Sequence, residues 1–156
     1  MTFTERGGWW VVAQLGLFGL YAVALFGTEP TSEGVFLSFA QIVGAVLGAL
    51  AALIGVWAAL VLGRNLTIYP SPVHQATLAD AGPYRLVRHP IYLAVFVGAL
   101  GLSLTLLSPA AVLVSLVFVV FFMAKSGFEE DRLIARVPGY REYRSRIPYR
   151  IIPWVM

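Results

Sequence analysis

Most of the chemistry this sequence could perform lies in two short clusters. The first is Arg85, Arg88 and His89 inside GPYRLVRHPIY, at the point where a long apolar run begins; the second is the twin carboxylates Glu129 and Glu130. Pro90 suits the first turn of a helix, where no backbone N–H has a partner to lose, and it pushes His89 into an extended conformation just outside. A helix starting at Pro90 directs its unpaired N–H groups toward Arg85, Arg88 and His89, a geometry that attracts a carboxylate or phosphate. The plainer alternative is that these are juxtamembrane charges gripping lipid headgroups. Acidic residues at the cytoplasmic end of a membrane helix contribute nothing to topology, so Glu129 and Glu130 call for a partner. Either they pair with Arg85 or Arg88, or they bind the hydroxyls or amine of a ligand whose carboxylate sits on the arginines.

The elements that must bring these clusters together are apolar. The 156 residues read as a single domain, 1–156, with 59% hydrophobic and 12% charged residues, against about 45–50% and about 25% in soluble proteins. The expected fold is therefore all-α: an integral membrane bundle of four transmembrane helices with short cytoplasmic C-terminal helices. The uncharged runs are 9–27, 35–63, 91–107 and 110–124, and the first two exceed what a bilayer core of about 30 Å demands of a helix. Only Ser108 and Pro109 separate the last two runs, which predicts a tight hairpin; one long kinked helix is the alternative. Gly44, Gly48, Ala52, Gly55 and Ala59 form a small-residue stripe that lets helices approach closely, more simply within the chain than between copies.

Charge placement gives the same count. With a cytoplasmic N-terminus, four spans put Arg6, the loop 64–90 and the tail 125–156 on one side, which accounts for all eleven basic residues and leaves Glu29 and Glu33 opposite. This is the positive-inside pattern, so both termini are expected in the cytoplasm. Within the tail, Phe128, Leu133, Ile134 and Val137 outline a short interfacial helix ending at Pro138, and a second short helix is expected over 140–146. Cysteine is absent and the only histidines are His74 and His89, so thiolate chemistry is excluded and no metal site is expected. No basic tract or stacking signature suggests nucleic acid.

GPYRLVRHPIY, the Glu129-Glu130 pair and the closing GYREYRSRIPYRIIP, with RNLTIYPSP upstream, together resemble the isoprenylcysteine carboxyl methyltransferase family, including its small bacterial members, and more distantly the phospholipid N-methyltransferases. The resemblance covers roughly 64–154. It implies an integral membrane methyltransferase, in a bacterial inner membrane, using S-adenosylmethionine on the cytoplasmic side, with membrane lipids around it and a lipophilic acceptor as partner. By motif position, His89 and Arg88 would meet the methionine carboxylate, with Arg85 and Pro90 also expected to bind the cofactor. Tyr84, Tyr92 and the turn from Gly98 to Gly101 would line the cofactor, and Glu129 and Glu130 would hold its polar end. Tyr140, Tyr143 and Arg144 fall where the family tail closes over the site, Tyr140 and Arg144 toward the acceptor, and Arg88, Glu130 and Tyr143 are the expected catalytic set. Ala94 stands where many relatives carry Gly, and Pro138-Gly139 where many have Phe-Gly.

Methyl transfer from a sulfonium to a carboxylate is an in-line displacement by a nucleophile already ionised at neutral pH, so orientation and exclusion of water suffice. Tyr84, Tyr92 and Tyr143 are candidates for cation–π contact with the sulfonium. Two other readings compete: an NADPH-dependent reductase related to the sterol reductases, which end similarly to IPYRIIP, and a non-enzymatic four-helix membrane protein. Against the latter, the apolar runs contain no Asp, Glu, Lys, Arg or His, which a proton- or cation-coupled carrier would need near the midplane.

Overall fold

A computed structural model describes residues 2–27 and 35–155, which form five α-helices and no strand. They are α1 (Gly8–Phe26), α2 (Val35–Leu62), α3 (Pro90–Thr105), α4 (Pro109–Arg136) and α5 (Tyr140–Arg146). Short 3-10 turns occupy Gly63–Asn65 and Gly82–Arg85. Glu29 and Glu33, assigned above to the far side, lie outside the described residues.

Three helices, α1, α2 and α4, are long and apolar enough to cross a bilayer. The other apolar helix, α3, has 16 residues, a length of about 24 Å at about 1.5 Å per residue, so of the four spans expected three are long enough to cross. The hairpin between α3 and α4 is real: Leu107 turns the chain with φ 53°, and Ser108 caps α4 by accepting from the Ala111 amide at 3.3 Å. The Ser108 hydroxyl also donates to the Ala24 carbonyl at 2.8 Å, tying the turn to α1.

The fourth run does not stop at 124. α4 continues unbroken through Ser126 and Gly127 to Arg136, so the separate interfacial helix expected after it is the same helix leaving the apolar zone. A single Gly costs a helix only about 1 kcal/mol, and the periodic apolar face of Phe128, Leu133 and Ile134 carries it on. It ends where Val137, with φ −108° and ψ 109°, takes the extended conformation that a following proline imposes. α5 then spans the residues expected for it.

α2 and α3 make the closest pair. A Cβ placed on Gly101 would lie 2.7 Å from the Gly44 carbonyl oxygen, Ala51 fills the space beside Gly98, and Gly55 faces Ala94. Gly44 and Gly55 of the small-residue stripe thus pack within the chain, Ala52 is exposed while Ala51 and Ala58 are buried, and the Ala94 methyl occupies the room that Gly55 leaves. Gly98 and Gly101, which the resemblance puts beside a cofactor, face α2. On the other side α1 lies along α4 through Phe18 against Phe118 and Trp10 against Phe121. The Tyr21 hydroxyl donates to the Ala99 carbonyl at 2.6 Å. Phe118 and Phe122 are core residues with Ala99 and Ile151. Leu15, Val23, Leu53 and Leu60 remain exposed, as a lipid-facing surface requires.

Gly101→Val should force α2 and α3 apart, costing about 1–3 kcal/mol or more by overpacking and lowering the thermal midpoint of the detergent-purified protein. A Cβ on Gly48 meets nothing within 4 Å, so Gly48→Ala should be neutral or slightly stabilising in the same measurement.

Candidate functional site

The antiparallel arrangement brings the start of α1, the end of α2, the start of α3 and the end of α4 to one end of the bundle, and both clusters meet there. α3 begins at Pro90, as its ring dictates, with His89 at φ −126° and ψ 63° just before it. The His89 carbonyl closes the first turn by accepting from the amides of Tyr92 and Leu93. The preceding turn is set by Gly82, whose φ of 56° is favourable only for glycine and whose α-carbon lies against the Trp57 indole. It presents Tyr84 inward.

Glu130 is the centre of the charged network. Its side chain is 1% exposed, and Arg88 Nε lies 2.7 Å from Oε1, with His89 Nε2 at 3.2 Å from the same oxygen. Arg144 Nε and Arg150 Nη2 approach Oε2 at 3.5 and 3.6 Å. One buried carboxylate therefore neutralises part of a cationic ring drawn from the segment before α3, from α5 and from the tail. Arg88 spends its remaining hydrogen bonds on the chain itself: Nη1 donates to the carbonyls of Ile147 and Pro148 at 2.6 and 2.7 Å. The backbone follows, the Arg88 and His89 amides donating to the Tyr149 and Arg150 carbonyls at 3.0 and 2.8 Å. This seats Ile151 in the core with no exposed surface.

Glu129 has a different place. It is partly exposed, accepts from the Tyr92 hydroxyl at 2.7 Å, and stands 3.9 Å from His89 Nδ1. His89 so bridges the two carboxylates, one ring nitrogen toward each, while its ring stacks on Tyr92 at 5.3 Å and Tyr92 stacks on Phe122 at 4.6 Å.

Beside Glu129 opens a cavity of about 130 Å³, open to solvent on one side. Tyr84, Arg88, His89, Tyr92, Glu129, Tyr140 and Tyr143 form its polar side, Leu62, Ile91, Leu133 and Val137 its apolar side, and residues of 65–79 its roof. The roof is clasped at its ends, where Asn65 Nδ2 donates to the Thr77 carbonyl at 2.9 Å and the Thr77 amide donates back to Asn65 Oδ1 at 3.1 Å. Burial pushes the phenols of Tyr84, Tyr140 and Tyr143 well above their ordinary range, so all three are neutral at physiological pH. Tyr143 donates to the Tyr84 carbonyl at 2.7 Å. The Tyr140 hydroxyl is buried with no protein partner, a costly state that a ligand would relieve.

Several expected residues stand elsewhere. Arg85 is exposed and outside the cavity. Pro90 is buried as the first residue of α3 and contributes geometry only. Arg144 and Glu130 do not line the cavity; they belong to the ion network behind it. Arg150, Lys125 and the roof were missed by sequence reasoning. Arg150 carried a signal, an arginine within the same YRIIP motif, whereas the roof is irregular loop with no periodicity to read. Among the described residues no group of three or more potential metal ligands stands together.

Removing one member of a buried ion network leaves the others unpaired at about 3–5 kcal/mol. Glu130→Gln should therefore lower the thermal midpoint strongly, and Glu129→Gln, at the partly exposed position, far less.

The family model for phospholipid methyltransferases matches residues 39–139, which contain α3, most of α2 and all of α4. A nickel-cobalt-cadmium resistance protein of Alcaligenes xylosoxydans xylosoxydans is 30% identical over 151 residues, covering 95% of this chain and 64% of that protein. A cobalt-zinc-cadmium resistance protein of Cupriavidus metallidurans is 33% identical over 150 residues, covering 95% and 63%. The chain thus spans a little under two thirds of the length of these relatives. With the Arg88-His89 and Glu129-Glu130 corners joined at one end of an apolar bundle and a family match over most of its length, the chain belongs to the phospholipid methyltransferase family, the methyltransferase family of the isoprenylcysteine carboxyl methyltransferase-like proteins.

Proposed function

We propose that the chain is an integral membrane methyltransferase that uses S-adenosylmethionine and methylates a lipophilic acceptor, with a carboxylate as the accepting group. The observation that carries this reading is the cavity at the joined clusters, polar on one wall and apolar on the other. The polar wall fits the cofactor's amino acid and ribose: Glu129 is the carboxylate at the cavity for an amine or hydroxyl, and Tyr140 offers an unused hydroxyl. When bound, the cofactor supplies an electrophilic methyl group on a sulfonium.

The chain's own groups then hold, orient and keep water out. Tyr92 fixes one oxygen of Glu129, and the rings of Tyr84, Tyr92 and Tyr143 present aromatic surface to a cation. Leu62, Ile91, Leu133 and Val137 offer the acceptor's apolar part a dry wall. The acidic and basic groups here are already committed: Glu130 to its cations, Arg88 to Glu130 and the tail carbonyls, His89 between two carboxylates. A site with its bases so engaged suits an acceptor that arrives ionised, which favours a carboxylate over a neutral alcohol needing deprotonation. The cytoplasmic setting inferred from charge placement and the inner membrane implied by the resemblance belong to the same proposal.

Calorimetric titration of the detergent-purified protein with S-adenosylmethionine should give saturable binding, and absence of binding at millimolar cofactor would sink the proposal; NADPH in a parallel thermal-shift arm separates the reductase alternative. Glu129→Gln should weaken cofactor binding about tenfold or more through loss of a charge-assisted hydrogen bond. Tyr140→Phe should keep or raise the thermal midpoint, because it removes an unsatisfied buried hydroxyl, while weakening ligand binding in the same titration.

A further inference from the structure

We propose that Lys125 is a positioning residue for the cavity, an ammonium that holds the roof and the Tyr92-Glu129 wall together without lining the site; the functional part of this rests on the cavity being the cofactor site proposed above. Lys125 lies on α4 and is 2% exposed. It donates to the Gln14 side-chain carbonyl of α1 and to the backbone carbonyl of Ile68 at 3.3 Å, and it stands 5.5 Å from the centre of the Tyr92 ring in a cation–π contact. An ammonium in a spanning helix is costly unless such partners are built around it. These belong to three separate parts of the molecule.

The Ile68 contact pins the middle of a strap, 66–72, in which Leu66, Thr67 and Pro72 line the cavity. The same strap is held next to this point. Arg6 lies 3.9 Å over the Tyr69 ring, the Tyr69 amide donates to Thr67 Oγ1 at 3.1 Å, and buried Pro70 is so close to Gly7 that a Cβ there would stand 2.6 Å from it. Opposite the strap, the ring under Lys125 belongs to the tyrosine whose hydroxyl fixes Glu129 at 2.7 Å, and Glu129 is one helical turn beyond Lys125 on the same face of α4. A tie between α1 and α4 would need Gln14 alone. The two further contacts, one to each side of the cavity, are what that simpler role leaves unexplained.

The cavity is open to solvent and small, about 130 Å³ against about 300–1,000 Å³ usual for ligand sites, so the position of the strap decides how much of a ligand it can hold. Lys125 defines that position and aligns the strap with the Tyr92-Glu129 wall.

Hydrogen exchange of the full-length purified protein reads the strap without any cofactor, so it is independent of what the cavity binds. In Lys125→Met the amides of 66–72 should exchange about tenfold faster while α2 and the rest of α4 stay protected. The KM for S-adenosylmethionine should rise about tenfold with kcat changed less than about threefold. Lys125→Arg should restore both, and Gln14→Leu, which cuts only the tie to α1, should leave both near wild type. Unchanged strap exchange in Lys125→Met, or equal loosening in Gln14→Leu, would overturn the proposal. If Lys125→Met does not accumulate, Lys125→Gln carries the same expectations. A loosened strap in a protein that binds no S-adenosylmethionine would support the positioning role and overturn the cofactor reading instead.

Discussion

A single buried carboxylate organises the end of this molecule that carries the cavity. Glu130 is surrounded by Arg88, His89, Arg144 and Arg150, and in a site shielded from water each of those attractions is stronger than it would be at a surface. The cations come from the segment before α3, from α5 and from the tail, so the position of one side chain on α4 fixes three other segments. Arg88 extends the effect by clamping the Ile147 and Pro148 carbonyls, and the paired backbones of 88–89 and 149–150 follow. A buried ion network contributes little net stability compared with apolar packing of equal volume, but it tolerates few alternative arrangements. Here it specifies geometry at the end of a bundle whose remaining contacts are largely apolar.

The two glutamates, adjacent in sequence, are thereby separated in task. A helix turns about 100° per residue, so Glu130 faces inward to its cations while Glu129 faces the cavity with Tyr92. His89 touches both and couples the structural carboxylate to the available one. This division explains why so few polar residues can serve both an ion network and a binding surface in a chain with only 12% charged residues.

Much of this was legible in advance. The apolar runs, the proline that starts α3, the Ser108-Pro109 turn and the α5 helix follow from local rules of length, capping and backbone restriction, and the pairing of the two clusters follows from the hairpin that joins them. What escaped reading depended on contacts distant in sequence. Gly98 and Gly101 look alike as cofactor-lining or helix-packing residues until α2 is placed beside them. Arg85 and Arg88 are the same residue type three positions apart, and only the direction of the turn before α3 decides that one is exposed and the other buried. The continuation of α4 through Gly127 was hidden because the end of the apolar run was taken as the end of the helix, although a helix leaving a membrane changes its composition and keeps its hydrogen bonds.

The brevity of α3 has a mechanical consequence for the surrounding lipid. A helix of 16 residues falls several ångströms short of a hydrocarbon layer of about 30 Å, and a bilayer meets such a deficit by thinning locally or by drawing the helix ends below the headgroup plane. Within 90–105, however, only Leu102 is exposed, so the shortfall is taken up largely by α2 and α4, which flank α3, and little lipid meets the ends of the short helix.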